Sequence, residues 1–448
     1  MRITPIILAA GQGIRMKSDL PKALHPLLGQ PLVWYVVRTL EQVTGVKPVV
    51  VVGYGADKVK QVLADSVHYV YQERRLGTGH AVMQTAKLLN GQTDYVLVSN
   101  ADMPLIMVDT VNQLVEAQLQ HGGPLTILTH IMDDPHGFAR LIRDAEGNLL
   151  AIVEQQDCTP DQLQICEGST GVYCIKTDWL WPALERIPPS AQEQRDLIDL
   201  VGIAITDHMK VQTVKTMDPA QVIDINTRVH LSKAIAHMRE RINRQWMLDS
   251  VTIVDPQTTY IEAGVTLGRD TIILPNTYLQ GNTRIGANCT IGPNTYIRDT
   301  QVGDRCEIFA SVLEGAVVED DVEIGPFARL RKGAHLADGV HMGNFGEVKN
   351  SYLGPGTKMG HFSYLGDATL DGNVNIGAGT ITCNYDGKKK YPTKIGQNAF
   401  IGSDTMLVAP VKIGQGAHTG AGSVVTKDVP SNTLAVGMPA RQIKKIED

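Results

Sequence analysis

A glycine-rich turn after the first apolar run of the chain has the residue types that bind phosphate groups. Small residues let the backbone approach a ligand, and successive N–H groups can hold phosphate oxygens. Arg15 and Lys22 add fixed positive charge, which suits a leaving pyrophosphate. The turn lacks the Gly-Lys-Ser/Thr of the Walker phosphate loop and the G-x-G-x-x-G of dinucleotide-binding proteins. The whole motif reads Leu8-Ala9-Ala10-Gly11-Gln12-Gly13-Ile14-Arg15-Met16, followed by Leu20-Pro21-Lys22.

A second set of polar residues lies in the carboxyl-terminal half, at positions that the local repeat does not require. Its centre is His361, whose side chain titrates near neutral pH and could act as a general base. A lone histidine is usually structural, but the polar residues around this one favour a catalytic role. The segments concerned are 325–331, 343–349, 360–367, 375–380 and 383–387.

The elements that position the first set are those of an α/β domain. Residues 1–226 alternate strand-like apolar runs with helical segments, as expected for a mostly parallel, Rossmann-like sheet. Predicted strands include Ile6–Leu8, Val49–Val52 and Tyr95–Val98, and the last of these leads into Asn100-Ala101-Asp102. Ligands of such sheets bind beyond the carboxyl ends of the strands.

The elements that position the second set repeat every six residues. From about Thr252 to Asp428 an aliphatic residue recurs with this period, often followed by glycine, which relieves crowding or permits a positive φ. A period of six matches neither a helix nor an ordinary strand. It predicts a left-handed parallel β-helix of hexapeptide repeats, in about ten coils of about eighteen residues each. The first aliphatic positions are Ile261, Leu267, Ile273, Leu279, Ile285, Ile291 and Ile297.

The chain is thus expected to have three parts. These are an α/β domain over residues 1–226, a linker helix over 227–249, and the β-helix over 250–448. One interruption of the repeat, Cys383 to Thr393, predicts a protruding loop of the kind that carries function or subunit contacts.

Composition narrows the class of protein. The chain has 448 residues and a net charge of −6, which argues against a nucleic-acid binder. Its six cysteines have no C-x-x-C spacing. No signal peptide or membrane-spanning run is evident. We expect a reduced cytoplasmic protein without a membrane or nucleic-acid partner.

The first 226 residues resemble the sugar-1-phosphate nucleotidylyltransferases through the phosphate-turn motif. The resemblance implies that Asp102 and Asn226 hold Mg²⁺ and that Arg15 and Lys22 act in catalysis. It further implies that Gln72, Gly77 and Thr78 bind uracil and that Glu154 receives the sugar hydroxyls. The implied UTP and UDP-sugar site comprises Leu8, Ala9, Ala10, Gly11, Lys22, Gln72, Gly77, Thr78, Asp102, Ala139, Glu154, Ser169 and Asn226.

Nearly the whole chain resembles the bifunctional N-acetylglucosamine-1-phosphate uridyltransferase/glucosamine-1-phosphate N-acetyltransferase family. The run Asn-Ile-Gly-Ala-Gly-Thr, followed by Cys-Asn-Tyr-Asp-Gly, is its most specific part. The resemblance implies a homotrimer in which His361 is the base of acetyl transfer. It places the sugar phosphate at Arg331, Lys349, Tyr364, Asn375 and Lys390, and acetyl-CoA at Ala378, Asn384, Tyr385, Ser403, Ala421 and Arg441.

Several positions depart from the family pattern. Ala101 and Ala139 stand where glycine is usual, and they should be tolerated if their φ angles are negative. Ser169 replaces the usual asparagine and offers fewer hydrogen-bonding groups to a sugar. An arginine usually lies near Met438, and Arg441 is the candidate to replace it at the CoA phosphate.

Two alternatives to the two-activity interpretation are considered. One is a nucleotidylyltransferase whose β-helix only assembles the oligomer, which His361, Arg331, Lys349 and Asn384 argue against. The other is a nonenzymatic assembly subunit of the same architecture, as in some translation-factor subunits. The set Arg15, Lys22, Asp102 and Asn226 argues against that.

Overall fold

The computed structural model describes residues 1–132, 138–190 and 193–445. The chain separates into two compact units, Met1–Met238 and Arg239–Asp448. The division falls within one long helix, Arg228–Leu248, in the region expected to be a linker. The described residues contain no helix that is long and apolar enough to cross a membrane.

The first unit is built on a mixed, mostly parallel sheet of nine strands. The described strands of this unit are β1 (Ile3–Ala9), β2 (Pro26–Leu27), β3 (Gln30–Pro31), β4 (Val49–Val52), β5 (His68–Tyr71), β6 (Tyr95–Asn100), β7 (Leu125–Ile131), β8 (Arg140–Arg143), β9 (Leu149–Val153), β10 (Glu167–Lys176) and β11 (Gln212–Thr216). Strands β2 and β3 pair only with each other, and the order in the large sheet is β11-β7-β10-β6-β1-β4-β5, with β8 paired to β10 and β9 paired to β8. Strand β10 runs antiparallel to both of its main neighbours.

Apolar clusters cover both faces of this sheet. All four residues of β4 are buried, and they alternate between the two clusters, as a central parallel strand requires. The predicted strands near residues 6, 49 and 95 are therefore confirmed as β1, β4 and β6. The helices are α1 (Leu32–Thr44), α2 (Ala56–Leu63), α3 (Thr78–Met83), α4 (Ala86–Leu89), α5 (Val108–His121), α6 (Thr177–Glu185), α7 (Asp199–Thr206) and α8 (Arg228–Leu248).

The second unit is a three-faced prism of short parallel strands. The first face contains Thr252–Ile253, Ile272–Ile273, Thr290–Ile291, Glu307–Ile308, Glu323–Ile324, His341–Met342, Lys358–Met359, Asn375–Ile376, Phe400–Ile401, His418–Thr419, Thr433–Gly437 and Ala440–Lys445. The second contains Tyr260–Ile261, Tyr278–Gln280, Tyr296–Arg298, Val312–Glu314, Arg329–Leu330, Gly346–Lys349, Ser363–Gly366, Ile381–Cys383, Met406–Val408 and Val424–Val425. The third contains Thr266–Leu267, Arg284–Ile285, Gln301–Val302, Val317–Val318, Ala334–Leu336, Ser351–Leu353, Ala368–Leu370, Thr393–Ile395 and Val411–Ile413.

The six-residue period is confirmed by the pairing of these strands. Ile261 pairs with Leu279, which pairs with Ile297, and all three are fully buried. One column of inward aliphatic side chains therefore runs along each face, and together the columns form a single core. The fold class expected from the repeat, a hexapeptide β-helix after an α/β domain, is correct.

The glycines that follow the aliphatic residues serve close packing. A Cβ on Gly286 would lie 2.5 Å from the carbonyl oxygen of Gly303 in the next coil, so no larger residue fits. Its φ angle is not in the positive range, whereas the nearby corner residue Asn288 has a φ of 58°. Relief of crowding therefore explains Gly286. The other explanation, a positive φ, applies to Gly292 and Gly325, which follow Ile291 and Ile324 and have φ angles of 103° and 109°.

The carboxyl-terminal part of α8 covers the open start of the prism. Ile242 and Trp246 pack against the prism core, and the buried Asn243 donates hydrogen bonds to the carbonyl oxygens of Pro256 and Thr259, at 2.9 and 3.0 Å. At the other end, the strand Thr433–Gly437 forms an antiparallel hairpin with Ala440–Lys445, which the repeat did not predict. Both ends of the solenoid are thus capped.

We predict unequal effects for two neighbouring isoleucines. Ile273→Ala removes a fully buried side chain and should lower the free energy of unfolding of the prism by about 2–5 kcal/mol. Ile272→Ala, on the same strand but 38% exposed, should lower it by less than about 1 kcal/mol. Urea unfolding followed by circular dichroism measures both, and equal losses would contradict the inward orientation of Ile273.

Candidate functional site

The glycine-rich turn is shaped by contact between Gly13 and Lys22. Gly13 has a φ of 68°, and a Cβ there would lie 2.5 Å from the Cβ of Lys22. Glycine is therefore required for Lys22 to pack against the turn. A short 3-10 helix, Ile14–Met16, then buries Met16 and leaves Arg15 exposed.

Three side-chain oxygens converge on the ammonium group of Lys22. Its Nζ forms a close ion pair with Oδ2 of Asp102, and it lies 2.5 Å from Oδ1 of Asn226 and 3.4 Å from Oδ1 of Asp224. Nη2 of Arg15 also donates to Oδ1 of Asn226, at 2.8 Å. The structure thus brings together all four residues expected to act at the metal and the pyrophosphate, and it adds Asp224.

Backbone hydrogen bonds hold the Asp224 loop against the end of β6. The amide of Ile225 donates to the carbonyl oxygen of Asp102 at 3.1 Å. Nδ1 of His230 lies 2.9 Å from the carbonyl oxygen of Asp224. The two carboxylates therefore lie in fixed positions at the edge of the sheet.

The two carboxylates differ in their ease of ionisation. Burial and, to a smaller extent, the nearby charge of Asp224 raise the pKa of Asp102 to about 7, against the opposing effect of Lys22. For Asp224, burial also favours a higher pKa, but Lys22 and hydrogen bonds from its neighbours outweigh burial and lower the pKa. Asp224 is thus the more readily charged member of the pair.

The oxygen donors at this position fit a hard divalent cation. Asp102, Asp224 and Asn226 supply carboxylate and amide oxygens, the ligand type that Mg²⁺ prefers. Oδ1 of Asp102 is buried and has no hydrogen-bond partner among the described residues. A ligand could therefore use this oxygen without displacing another contact.

The segment expected to bind the base is fixed by hydrogen bonds to residues 195–197. The buried amide of Gln72 donates to the carbonyl oxygen of Gly77 at 3.1 Å. A Cβ on Gly77 would lie 2.4 Å from the carbonyl oxygen of Arg195, so glycine is needed here. The backbone N–H and the hydroxyl of Thr78 both donate to Asp196, at 3.2 and 3.3 Å.

These segments enclose one cleft of about 820 Å³ at the carboxyl ends of β1 and β6. Leu8, Ala9, Ala10 and Gly11 line one part of it, and Gln72, Gly77 and Thr78 line another. Arg75, Gln194 and Asp196 also face the cleft, although the sequence analysis did not select them.

The residues expected at the sugar lie near the hairpin β8–β9 and strand β10. The amide of Ser169 donates to the carbonyl oxygen of Ala139 at 3.1 Å, and the Ser169 hydroxyl is buried without a partner among the described residues. The side chain of Glu154 is exposed, but partial desolvation of its carboxyl group, together with the charge of Asp196, raises its pKa. Neither Ala101 nor Ala139 has a positive φ, which is the condition under which alanine can replace the usual glycine. Gly137, the first residue of the family-pattern segment Gly-Phe-Ala-Arg that contains Ala139, lies outside the described residues.

In the prism, three cations gather on and beside the second face. The pKa of Lys349 is lowered by its contact with Lys390 and by the charge of Arg331. Nη1 of Arg331 also donates to Oε1 of Glu347 at 2.9 Å. Like charges held together in this way favour an anionic ligand such as a phosphate group.

The loop that interrupts the repeat is tied to this cationic group. Nδ2 of the buried Asn384 donates to Asp367 at 2.5 Å, and Tyr385 pairs with Lys390 across the loop. Tyr364 lies opposite Glu347, the ion-pair partner of Arg331, on the neighbouring strand of the second face. The predicted loop therefore brings Lys390 and Asn384 to residues from earlier coils.

A second group of predicted residues forms a column at the corner between the first and second faces. His361 is exposed there, and the carbonyl oxygen of its neighbour Phe362 accepts from Gly379 at 2.6 Å. The carbonyl oxygen of Ala378 accepts from Asp404 at 2.6 Å, and that of Ser403 accepts from Gly422 at 2.8 Å. His361, Ala378, Ser403 and Ala421 thus lie at the same corner of successive coils.

Two predicted residues lie away from both groups. Asn375 is on the first face, where it pairs with Lys358 and Phe400, and not on the second face with Tyr364. Arg441 is exposed on the terminal hairpin, opposite Val436. Within one chain, neither joins the cationic group.

The sequence analysis missed Asp224, Asp196 and Asp367. Asp224 carried a readable signal, since it lies two residues before Asn226 in a short loop. Asp196 contacts Thr78 only through tertiary structure, and no local pattern marks it. Asp367 lies within the segment 360–367 selected above, but no role was assigned to it, and its contact with Asn384 is also tertiary.

The two units define a two-domain transferase. Residues 5–197 match the family model of the MobA-like NTP transferase domain. Residues 264–299 and 392–427 match that of the bacterial transferase hexapeptide, a model of six repeats.

Relatives extend the match to the whole chain. The protein is 44% identical to bifunctional protein GlmU of Geobacillus sp. (strain WCH70), over 98% of this chain and 96% of that protein. It is 42% identical to bifunctional protein GlmU of Shouchella clausii (strain KSM-K16), over 98% of this chain and 97% of that protein. The chain belongs to the bifunctional GlmU family.

Family membership decides between the alternatives considered above. The chain is a bifunctional enzyme with a nucleotidyltransferase and a hexapeptide acetyltransferase-type domain. Neither a single-activity nucleotidylyltransferase nor an assembly subunit fits this result. Its substrates are small molecules.

We predict that Asp102→Asn changes the pH dependence of stability. The pKa of Asp102 is about 7 in the folded state and 3.8 in the reference, unfolded state. The protonated carboxyl therefore stabilises the folded state fully below about pH 3.8, and this contribution is lost as the pH rises through about 7. The variant does not ionise, so its stability relative to wild type should rise by roughly 1–3 kcal/mol between about pH 4.5 and pH 8. Thermal unfolding in a chelating buffer measures this.

The matched control is Asp109→Asn, which removes an exposed carboxylate from the first turn of α5. Its stability relative to wild type should stay nearly constant over the same pH range. An Asp102→Asn variant that loses relative stability as the pH rises would show that the buried carboxylate is favourable when ionised.

Proposed function

We propose that the first unit transfers UMP from UTP to N-acetylglucosamine-1-phosphate, and that the second acetylates glucosamine-1-phosphate with acetyl-CoA. The acetylated product of the second unit would be the acceptor of the first, and the final products would be UDP-N-acetylglucosamine and pyrophosphate. The observation that carries this proposal is the Lys22 cluster, where three oxygens and two cations converge beside the glycine-rich turn.

In uridylyl transfer, the sugar phosphate oxygen attacks the α-phosphorus of UTP and the bond to pyrophosphate breaks. Backbone N–H groups of the glycine-rich turn hold the phosphates, while Arg15 and Lys22 stabilise the charge that develops on the leaving group. Asp102 and Asn226 would hold Mg²⁺, which, when bound, neutralises phosphate charge.

Recognition of the base and the sugar is assigned to the remaining residues around the cleft. Gln72, Gly77 and Thr78 would bind uracil. The hydrogen bond from Gln72 to Gly77 and those between Thr78 and residues 196 and 197 support a fixed shape. Glu154 would accept from sugar hydroxyls, with Ala139 and Ser169 beside it. The buried Ser169 hydroxyl still has capacity for a hydrogen bond, which supports its assignment to the sugar.

In acetyl transfer, His361 would take a proton from the ammonium group of glucosamine-1-phosphate. The freed amine attacks the thioester carbonyl of acetyl-CoA and the C–S bond breaks. The nitrogen loses a second proton as the amide forms, and the CoA thiolate takes up one proton and leaves as the thiol. Arg331, Lys349 and Lys390 would hold the sugar phosphate, as their mutual repulsion supports. Tyr364 and Asn375 would complete the acceptor site.

The acetyl-CoA site is assigned to the corner column and the protruding loop. Asn384 and Tyr385 would position the acetyl group, while Ala378, Ser403 and Ala421 would contact the rest of the molecule. Their stacking in successive coils supports an extended ligand along the prism. Arg441 would contact a CoA phosphate.

The acetyl-transfer site is proposed to lie between neighbouring prisms of a homotrimer. His361 is exposed at a convex corner, and no described residue hydrogen-bonds its imidazole. Phe327 and Phe345 stack at 5.4 Å along the same corner, each 60% exposed. A neighbouring copy would cover these rings, orient His361 and bring Asn375 to the acceptor site.

The test of the proposed function is to incubate the protein with glucosamine-1-phosphate, acetyl-CoA, UTP and Mg²⁺, and to identify every product by mass. His361→Ala should slow acetylation by about 10²- to 10⁴-fold, because it removes a positioned base. Asp102→Ala should remove most uridylyl transfer. Each variant should keep nearly the full rate of the other reaction.

The control for the first change is His341→Ala, which removes a different exposed histidine of the prism, one paired to Glu323. It should leave both rates close to those of wild type. Acetylation that survives His361→Ala at nearly the wild-type rate would refute the assignment of the base.

Assembly is tested by light scattering at the enzyme concentration of the assay. We predict a trimer, because the site of one chain is completed by its neighbour. A monomer that acetylates at the full rate would contradict the shared site.

A further inference from the structure

Asp224 has the geometry of a metal ligand, although neither the motifs nor the resemblance selected it. Its carboxylate faces the cleft, lies 3.4 Å from the Lys22 ammonium, and accepts from Nδ2 of Asn226. That last hydrogen bond orients the amide, so Oδ1 of Asn226 faces Lys22. The loop is fixed by the bond from Ile225 to the Asp102 carbonyl oxygen.

The Lys22 ammonium marks the point where the three oxygens meet. Oδ2 of Asp102, Oδ1 of Asp224 and Oδ1 of Asn226 all contact this one compact cation. A lysine ammonium is a point charge with three donors, and its position is therefore one that a cation favours. Two carboxylates and one amide oxygen at a common point are also a suitable donor set for a divalent ion.

We propose that Asp224 is a third protein ligand of the divalent cation and that Lys22 occupies the cation's position until the ion binds. This inference rests on the proposed function, which makes a divalent cation part of the uridylyl-transfer site. Two consequences follow. The second carboxylate gives the site affinity for the ion before any nucleotide arrives, and the ion and the ammonium compete for the same oxygens. Displaced from them, Lys22 is available to the phosphates.

Binding of Mn²⁺ to the full-length, nucleotide-free protein tests the inference. Mn²⁺ prefers the same oxygen ligands as Mg²⁺, and electron paramagnetic resonance counts the free ion. Wild type should bind one Mn²⁺ per chain at this site. Asp224→Asn keeps the shape of the side chain but removes its charge. Loss of a residue that only orients metal ligands already weakens metal affinity about 10- to 100-fold, so loss of a direct carboxylate ligand should weaken Mn²⁺ binding by at least about tenfold.

The variant Lys22→Met tests whether the Lys22 ammonium competes with the divalent ion for the oxygens of Asp102, Asp224 and Asn226. It keeps the aliphatic stem that packs on Gly13 but removes the competing charge. Nucleotide-free Mn²⁺ binding should become tighter, the opposite direction from Asp224→Asn. The matched control is Glu116→Gln, which removes one exposed carboxylate of α5 and should leave Mn²⁺ binding unchanged.

The failures of the two proposals are distinguishable. If Asp102→Asn weakens Mn²⁺ binding and Asp224→Asn does not, Asp224 is no ligand and the proposed function stands. Wild type that binds no Mn²⁺ without nucleotide, even in the millimolar range, would also overturn the inference while leaving metal-dependent transfer intact. Uridylyl transfer that proceeds at the full rate in a chelator would instead remove the metal from the proposed function, and the inference with it.

Discussion

The interaction on which the nucleotide cleft depends is the contact of one ammonium group with three side-chain oxygens. Lys22 joins the end of β6, through Asp102, to the loop of Asp224 and Asn226. Without the ammonium, two partly buried carboxylates would lie side by side without the charge of Lys22, which is unfavourable. The position of Lys22 is in turn fixed by Gly13, since only glycine leaves room for its stem. The turn, the strand end and the loop therefore form one electrostatic unit.

The prism depends on a different constraint, the close approach of the backbone in successive coils. That approach admits glycine at positions such as Gly286 and threonine or asparagine at corners, and it fills the interior with aliphatic side chains. None of these requirements calls for a charged residue or an imidazole. The charged residues and histidines of the prism consequently lie outside this interior. The grouping of Arg331, Lys349 and Lys390 there calls for an explanation other than stability.

The sequence predicted the architecture well because each unit has a period that its own packing enforces. The six-residue repeat gave the correct inward column of Ile261, Leu279 and Ile297, and the apolar runs gave β1, β4 and β6. The family resemblance also implied that Arg15, Lys22, Asp102 and Asn226 lie together, and in the structure they are in contact. The features that the sequence did not predict depend on tertiary contacts. Asp196 contacts Thr78 although more than a hundred residues separate them along the chain. Asn375 lies on a different face of the prism from Tyr364. Asp224 was missed for another reason, since an aspartate in a loop usually caps a turn.

The two sites share one electrostatic design with opposite signs. In the first unit carboxylates are crowded together, which burial makes costly and which raises the pKa of Asp102 to about 7. In the second unit Lys349 is crowded by Lys390 and Arg331, which lowers its pKa. Like charges held together in a folded protein oppose its stability, so each group favours a ligand that relieves the repulsion: a cation in the first unit and an anion in the second. In the first unit Lys22 offsets part of this repulsion while it holds the loop to the sheet, and a divalent cation would offset more of it. The two clusters are therefore the strongest physical argument that both units of this chain bind charged ligands.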